Sequence, residues 1–148
     1  MAKTTSTLEV EILSSLAIIE SEERNYSLAV EKYELALAKC KKLPQFNAQL
    51  YIRINYNFSR TSVFMDNLNL AYNLVNDAII TSYRIHSLYL LGESHFQRGY
   101  CSYLLGQKAK AIQDVADSLW IFSKTENQAM HDIASQYYKK MKRGKRLA

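Results

Sequence analysis

The side chains that most often do chemistry are few in this sequence, and they do not fall into a known catalytic or metal-binding spacing. The histidines His86, His95 and His131 are too scattered for a ligand set, and we expect the first two on opposite faces of one helix. The HExxH, GxSxG, P-loop and dinucleotide-binding glycine motifs are absent. The sequence therefore predicts no catalytic residue, no metal site, no cofactor and no enzymatic activity.

The carboxylates and thiols have structural interpretations. Glu20, Glu22 and Glu23 cluster at a predicted helix end, where a solvated face is favoured over a catalytic carboxylate pair. Cys40 and Cys101 show no CxxC spacing, so we interpret them as reduced core thiols of a cytoplasmic protein.

The composition predicts one all-α domain. The chain has 148 residues, of which 48% are hydrophobic and 22% charged, with one proline and four glycines. So few turn-forming residues leave little room for a sheet. No apolar run approaches the roughly 20 residues that span a bilayer, and the N-terminal MAKTTSTLEVEI lacks the pattern of a signal peptide, so no membrane association is predicted.

The positive charge is concentrated at the C-terminus. The formal net charge is +5, yet six of the nineteen basic residues lie in the last ten, which leaves thirteen against fourteen acidic residues elsewhere. A uniformly basic nucleic-acid-binding surface is therefore not indicated. For the basic tail, residues 143–148, and the lysines before it, solvation at a helix end is favoured, and a contact to nucleic acid or an acidic partner is the alternative.

Apolar residues recur at helical spacing along nearly the whole chain, and polar residues separate the periodic segments. Asn25 is expected to cap a helix that starts at Tyr26, Pro44 to occupy the first turn of another, and Thr125 with Gln128 to form a capping box. Asp66 and Asn67 separate two further helices. Short helices around 24–37, 66–79 and 106–119 are thus predicted to alternate with longer ones at 6–23, 45–64, 85–105 and 126–142.

An internal repeat links these helices. The segments RNYSLAVEKYELAL, DNLNLAYNLVNDAI and GQKAKAIQDVADSL align so that Ala29, Ala71 and Ala111 recur at spacings of 42 and 40. A small residue stands twelve positions upstream of each alanine, and a large one stands four positions downstream. Small residues that face each other let paired antiparallel helices approach closely, and such pairs stack into a superhelix. The upstream small positions are Ala17, Ser59 and Gly99, continued by Ala134, and the large ones are Tyr33, Val75 and Val115.

This pattern resembles the tetratricopeptide repeat (TPR). The best match is RGYCSYLLGQKAKAIQDVADSL, in which Gly99, Ala111 and Ser118 match the family's small positions and Gly106 its turn glycine. The period exceeds the usual ~34 residues and is similar to the long repeats of kinesin light chains and of bacterial Rap/PlcR/Rgg-type peptide-pheromone receptors. The resemblance implies a right-handed superhelix in one domain, 1–142, with repeats at about 8–43, 45–82 and 85–124 and a capping helix at 126–142.

The resemblance also implies a non-catalytic module that holds a protein or peptide segment in its concave groove, which the first helix of each pair lines. Asn and Gln can bond a peptide backbone, rings supply apolar area, and Arg pairs with a carboxylate. The alternative is that rings such as Tyr56 and Phe96 simply pack on the next repeat. The candidate partner-binding residues are Arg53, Tyr56, Asn57, Arg60, Phe96, Gln97, Tyr100 and Tyr103.

Three functional questions stay open at the level of sequence. The module could be an adaptor, or a sensory domain that binds a pheromone-type peptide; no helix-turn-helix pattern accompanies it. The chaperone-tail clamp of some TPRs is disfavoured, because Ile18 and Ser14 stand where its Asn and Lys are required. The apolar face of the last helix is expected to cover the third repeat, and its alternative role is a homodimer contact. That face comprises Met130, Ile133, Ala134, Tyr137, Tyr138 and Met141.

Overall fold

A computed structural model describes residues 5–147 and contains, within them, seven α-helices and no strand. The all-α prediction is thereby confirmed. Between residues 5 and 147, no helix is long and apolar enough to cross a bilayer. The helices are α1 (Thr7–Glu22), α2 (Tyr26–Lys41), α3 (Ala48–Phe64), α4 (Leu68–Arg84), α5 (Leu91–Leu104), α6 (Lys108–Lys124) and α7 (Gln128–Lys142).

The helices form two layers. The closest packing joins α1 to α2, α3 to α4 and α5 to α6, as the repeat predicts. Each first helix also contacts the next first helix (α1 with α3, α3 with α5, α5 with α7), whereas across the described residues α2 does not contact α4, nor α4 contact α6. The helices of one layer lie close together, whereas those of the other layer lie apart. The stack therefore curves, and the closer layer lies on the inside of the curve. The concave surface is therefore built from α1, α3, α5 and α7.

The predicted small positions form the contacts within each pair. Ala17 and Ala29, and likewise Ser59 and Ala71, are fully buried. Gly99 in α5 packs so tightly on α6 that a Cβ atom would lie 2.9 Å from Val115 Cγ2 and 3.0 Å from the carbonyl oxygen of Ala111. A glycine inside a helix lowers its stability by about 1 kcal/mol relative to alanine. The close approach of two backbones explains why it stands there.

One turn geometry closes the first helix of every pair. Arg24, Asp66 and Gly106 all adopt positive φ, and the N–H of the following residue donates to the carbonyl five positions back. Gly106 has the largest of the three angles, 82°, which a residue without Cβ adopts at no steric cost. The prediction that Gly106 is the turn glycine is confirmed.

Two predicted helix starts are wrong in detail. Pro44 lies in a loop, because the Asn47 side chain accepts the Leu50 N–H and starts α3 only at Ala48. The Thr125 hydroxyl donates back to the Ile121 carbonyl and closes α6, so that no capping box forms.

Two further termini differ from expectation. Residues 85–90 form a turn rather than the first part of α5, since His86 and Leu90 both take positive φ. Helix α2 does start at Tyr26, but the Asn25 amide donates to Glu20 instead of capping it.

Candidate functional site

The four candidate residues of α3 form one stripe on its concave side, at positions i, i+3, i+4 and i+7. Arg53 reaches across to α1, where its guanidinium lies 3.7 Å from Glu11. Two turns further on, Arg60 lies over the ring of Tyr56, 6.0 Å from its centroid, and forms no hydrogen bond or ion pair within residues 5–147. Its guanidinium donors are therefore available to a ligand.

The four candidates of α5 are engaged by neighbouring elements. The rings of Phe96 and Tyr100 meet Tyr137 of α7 edge to face, at centroid distances of 5.2 and 6.0 Å. Gln97 is only 8% exposed, and its amide donates to the Ser59 hydroxyl at 3.2 Å.

Tyr103 is engaged as well, because its hydroxyl donates to the carbonyl oxygen of Lys145. The packing role that the sequence offered as an alternative thus accounts for most of the α5 contacts, whereas Asn57 and Arg60 of the α3 stripe line a cavity.

The cavity beside Asn57 and Arg60 has a volume of about 90 Å³ and lies between the C-terminal ends of α1 and α3. It shares four lining residues with a wider depression of about 600 Å³, which Arg24 and Tyr26 border at the start of α2. We call the smaller space the Arg60 cavity; its lining residues are Ile18, Ser21, Glu22, Tyr33, Asn57, Arg60, Thr61 and Phe64.

Three hydroxyl groups from three helices line one side of the Arg60 cavity. The Oγ1 atom of Thr61 lies 2.8 Å from Ser21 Oγ and 3.3 Å from the Tyr33 hydroxyl. Burial raises the pKa of Tyr33, the hydrogen bond to Thr61 and the charge of Arg60 oppose that rise, and Glu22 adds to it. Tyr33 therefore stays protonated at neutral pH and keeps its hydrogen available to donate.

A second polar cluster lies between α4, α5 and α6, and there every charge has a partner. Arg98 donates to both carboxylate oxygens of Asp114, at 2.8 and 2.7 Å, and to the Asn76 side-chain oxygen at 2.9 Å. His95 Nδ1 lies 2.9 Å from the same carboxylate, and His95 Nε2 lies 2.9 Å from the Tyr83 hydroxyl. We call these five residues the Arg98 network.

The charges of the Arg98 network balance one another. Burial would raise the pKa of Asp114, but hydrogen bonds from His95 and Arg98 bring it below its ordinary value. Asp117 lies close enough to join His95 and Asp114 as metal ligands. The guanidinium of Arg98 already occupies both oxygens of Asp114, so the arrangement is that of a satisfied ion pair rather than of a metal site.

The remaining sequence candidates for chemistry are structural. The expectation that His86 and His95 share a helix is wrong, because His86 lies in the turn before α5. Cys40 and Cys101 are fully buried, and burial raises the pKa of both thiols, that of Cys101 to about 12. Both side chains are neutral thiols that fill the core, which confirms their predicted role.

Sequence reasoning did not find the Arg60 cavity or the Arg98 network. The residues Ser21, Tyr33 and Thr61 stand on three different helices, and Thr61 bonds to a residue 40 positions away. Glu22, which the sequence predicts on a solvated face, is exposed and also borders the cavity. The only available signal was the period itself, because 40 residues is close to one repeat and brings equivalent helix ends together.

Comparisons with known proteins identify the fold. The profile of the RNPP family C-terminal domain matches residues 1–141. The structure is similar to that of PlcR from Bacillus thuringiensis in complex with the peptide PapR7 and DNA, with a TM-score of 0.82 and 21% identity over 90% of this chain and 48% of PlcR. It is also similar to PlcR in its apo form, with a TM-score of 0.81 and 21% identity over 92% and 50% of the two chains.

At this level of identity the likeness to PlcR shows a shared TPR-like fold. The chain spans about half the length of the PlcR chains it matches. Comparison with curated proteins gives no match.

Proposed function

The chain belongs to the RNPP family C-terminal domain, and from that premise we propose that it is a non-catalytic regulatory domain that binds a peptide in its concave groove. Of the two long-period types that the repeat resembles, this membership favours the peptide-receptor type over the kinesin-light-chain adaptor. It also supports the sensory role that the sequence left open.

The observation that carries the proposal is the state of Arg60 and Asn57 on the inner face of α3. Neither side chain has a hydrogen-bond or ion-pair partner within the described part of the chain, and both line the Arg60 cavity. Unfilled donors on a concave surface are the groups that orient a ligand. In addition, one solved structure with this fold, that of PlcR, contains the peptide PapR7.

The groove dimensions suit a short peptide. Neighbouring packed helices are about 8–10 Å apart, so a path from α1 across α3 to α5 covers about 20 Å. An extended chain advances about 3.3 Å per residue, so roughly six residues cross the three helices. We therefore propose a ligand of six or seven residues.

The candidate residues take different roles in this proposal. The amide of Asn57 bonds the peptide backbone, the ring of Tyr56 supplies apolar area, and Arg60 binds an anionic group. The half-buried rings of Phe96 and Tyr100 add apolar area beside α7. Arg53, Gln97 and Tyr103, which already have partners in the protein, shape the groove rather than grip the ligand.

Affinity selection from a pool of synthetic heptapeptides of randomised sequence tests the proposal. The pool is passed over the immobilised 148-residue chain, bound peptides are identified by mass spectrometry, and each is re-measured by fluorescence polarisation. The Asn57→Ala/Arg60→Ala double variant should lose this binding. The Arg84→Ala variant, which removes an equal charge from α4 in the outer layer, should keep it. A pool without binders, or binders that need Arg84 instead, would refute the proposal.

The other partners predicted from the sequence remain predictions. Ile133 is the residue of the α7 apolar face that lies most exposed, at 43%, and it is where a homodimer contact would form. The basic tail packs back through Leu147, which is buried with Ala134 and Met141. A nucleic-acid contact would then use the exposed lysines around it, and removal of residues 139–148 followed by salt-dependent binding measurements tests that contact.

A further inference from the structure

We propose that the Arg60 cavity receives the free C-terminal carboxylate of the bound peptide. The proposal rests on the function proposed above and adds the direction and the end group of the ligand. Recognition of the terminal carboxylate is a different property from peptide binding itself, since a groove can bind a peptide without contacting its C-terminus.

The first reason is the contrast between Arg60 and the arginine two turns before it on the same face. Arg53 is neutralised by Glu11 on α1, at 3.7 Å, whereas Arg60 has no acidic partner within 4.0 Å among residues 5–147. A guanidinium presents parallel N–H groups that match the two oxygens of a carboxylate. Arg60 is placed at the cavity wall with that fork unfilled.

The second reason is a count of hydroxyl hydrogens on the cavity wall. Ser21, Thr61 and Tyr33 carry three hydroxyl hydrogens, and the two bonds among them use two. One hydrogen is left to donate, and the unpartnered Asn57 amide adds two more donors. Since Thr61 is 2% exposed and Tyr33 1%, the positions of these two hydroxyl groups are fixed by packing before a ligand arrives.

The third reason is the balance of charge around the opening. Glu22 lines the same space and would by itself repel a carboxylate. Arg24 borders the wider depression together with Arg60 and Glu22, so two guanidinium groups outweigh one carboxylate. The residues that line the wider depression thus include two arginines and one glutamate, a balance that favours an anionic end group over the ammonium group of a peptide N-terminus.

The size of the two spaces agrees with a chain terminus. A cavity of about 90 Å³ has room for a carboxylate group. The wider depression beside it, bordered by Phe64 and Tyr26, has room for the last side chain. The rest of the peptide then crosses α3 toward α5.

The test uses peptides whose only carboxylate is the terminal one. Heptapeptides selected from a randomised pool that lacks Asp and Glu are each synthesised twice, with a free C-terminal carboxylate and as the C-terminal amide. Dissociation constants are measured by fluorescence polarisation on the wild-type chain and on the Arg60→Ala and Arg84→Ala variants. Loss of a charge-assisted hydrogen bond of this kind corresponds to about a tenfold change.

We expect amidation to weaken binding to the wild type and to Arg84→Ala about tenfold. Arg60→Ala should bind the acid about tenfold more weakly than the wild type does and should no longer distinguish acid from amide. If acid and amide bind the wild type equally, the inference is overturned while peptide binding stands.

A third set of peptides separates the two sources of a carboxylate. Amidated heptapeptides that carry one internal Asp or Glu should bind as weakly as the other amides. Arg60-dependent binding of this set at the strength of the free acids would assign the cavity to a side-chain carboxylate and overturn the inference. If no peptide of any set binds, the proposed function fails, and the inference falls with it.

Discussion

Arg60 and Arg98 lie on neighbouring inner helices, and their guanidinium groups have opposite surroundings. Arg98 donates to Asp114 and Asn76 inside a cluster that joins three helices. Arg60 stands beside a cavity, and its guanidinium lies over the ring of Tyr56, 6.0 Å from the centroid. One arginine has its hydrogen-bonding capacity filled by the fold, and the other has it open.

This difference separates groups that hold the structure together from groups that are available to a ligand. A buried charge without a partner costs several kcal/mol, so the charges of the Arg98 network must satisfy one another for the chain to fold. An exposed guanidinium costs the fold little and can be kept unpaired. We therefore expect substitutions in the Arg98 network to change stability, and substitution of Arg60 to change binding alone.

The largest expected effect is that of Arg98→Ala. Asp114 is 6% exposed, and without Arg98 its buried charge is compensated by His95 alone. The free energy of unfolding should fall by about 3–5 kcal/mol, measured by urea denaturation. Arg98→Lys should lose less, because it keeps the charge but not the two parallel bonds.

The control for charge is Arg84→Ala, which removes a guanidinium from the end of α4 without breaking an ion pair. It should stay within about 0.5 kcal/mol of the wild type. A loss below about 1 kcal/mol for Arg98→Ala would erase the contrast between the two arginines.

The next largest effect should come from Gly99→Leu, which would disturb the Arg98 network by pushing α5 and α6 apart. A Cβ atom at this position would lie 3.2 Å from the Cβ of Asp114 and 2.9 Å from Val115. Forcing α5 away from α6 should cost about 3 kcal/mol, at the upper end of overpacking effects. Thermal unfolding measures it, with Gly99→Ala as the milder step; equal stability of Leu, Ala and Gly at this position would contradict the close contact.

Acid should weaken the same network by a smaller amount. The folded-state pKa of Asp114 lies below its ordinary value, so its contribution is complete above the unfolded pKa and is lost as the pH falls through the folded pKa. Urea denaturation at a series of pH values from about 6 to 3 measures this, with Asp114→Asn as the comparison. The stability of the wild type should approach that of the variant as the pH falls; a constant gap would contradict the role of this carboxylate.

The smallest effect on stability should be that of Arg60→Ala. Because this side chain has no hydrogen bond or ion pair in residues 5–147, the free energy of unfolding should change by less than about 0.5 kcal/mol. Circular dichroism and urea denaturation check this before any binding experiment. A loss comparable to that of Arg98→Ala would place Arg60 among the structural residues.

The sequence allowed the fold to be predicted well and the candidate site only in part. The alanines at 29, 71 and 111 and the small residues at 17, 59 and 99 marked every helix pair, because close backbone approach demands small side chains at fixed spacing. Helix termini were less predictable. Pro44 and Thr125 satisfy helix-start patterns, but asparagine side chains two or three residues further on form the caps.

The candidate site depended on which polar groups the fold leaves unpaired, and that is a property of three-dimensional contacts. Arg53 and Arg60 are indistinguishable in the helical pattern of α3, yet Glu11 neutralises only the first of them. Gln97 suited a peptide-binding role by residue type and position, but its amide donates a hydrogen bond to Ser59 of the neighbouring repeat. Pairing of this kind joins residues about 40 positions apart, which local periodicity does not encode.

The most direct test of the central claim is to locate a bound peptide on the two layers of the superhelix. The ¹⁵N-labelled 148-residue chain is titrated with a heptapeptide selected from the randomised pool, and amide chemical shifts are followed by NMR. We predict that the largest changes fall on the inner helices α1, α3 and α5, centred on Asn57 and Arg60. Changes concentrated on α2, α4 and α6 of the outer layer would contradict a concave binding groove.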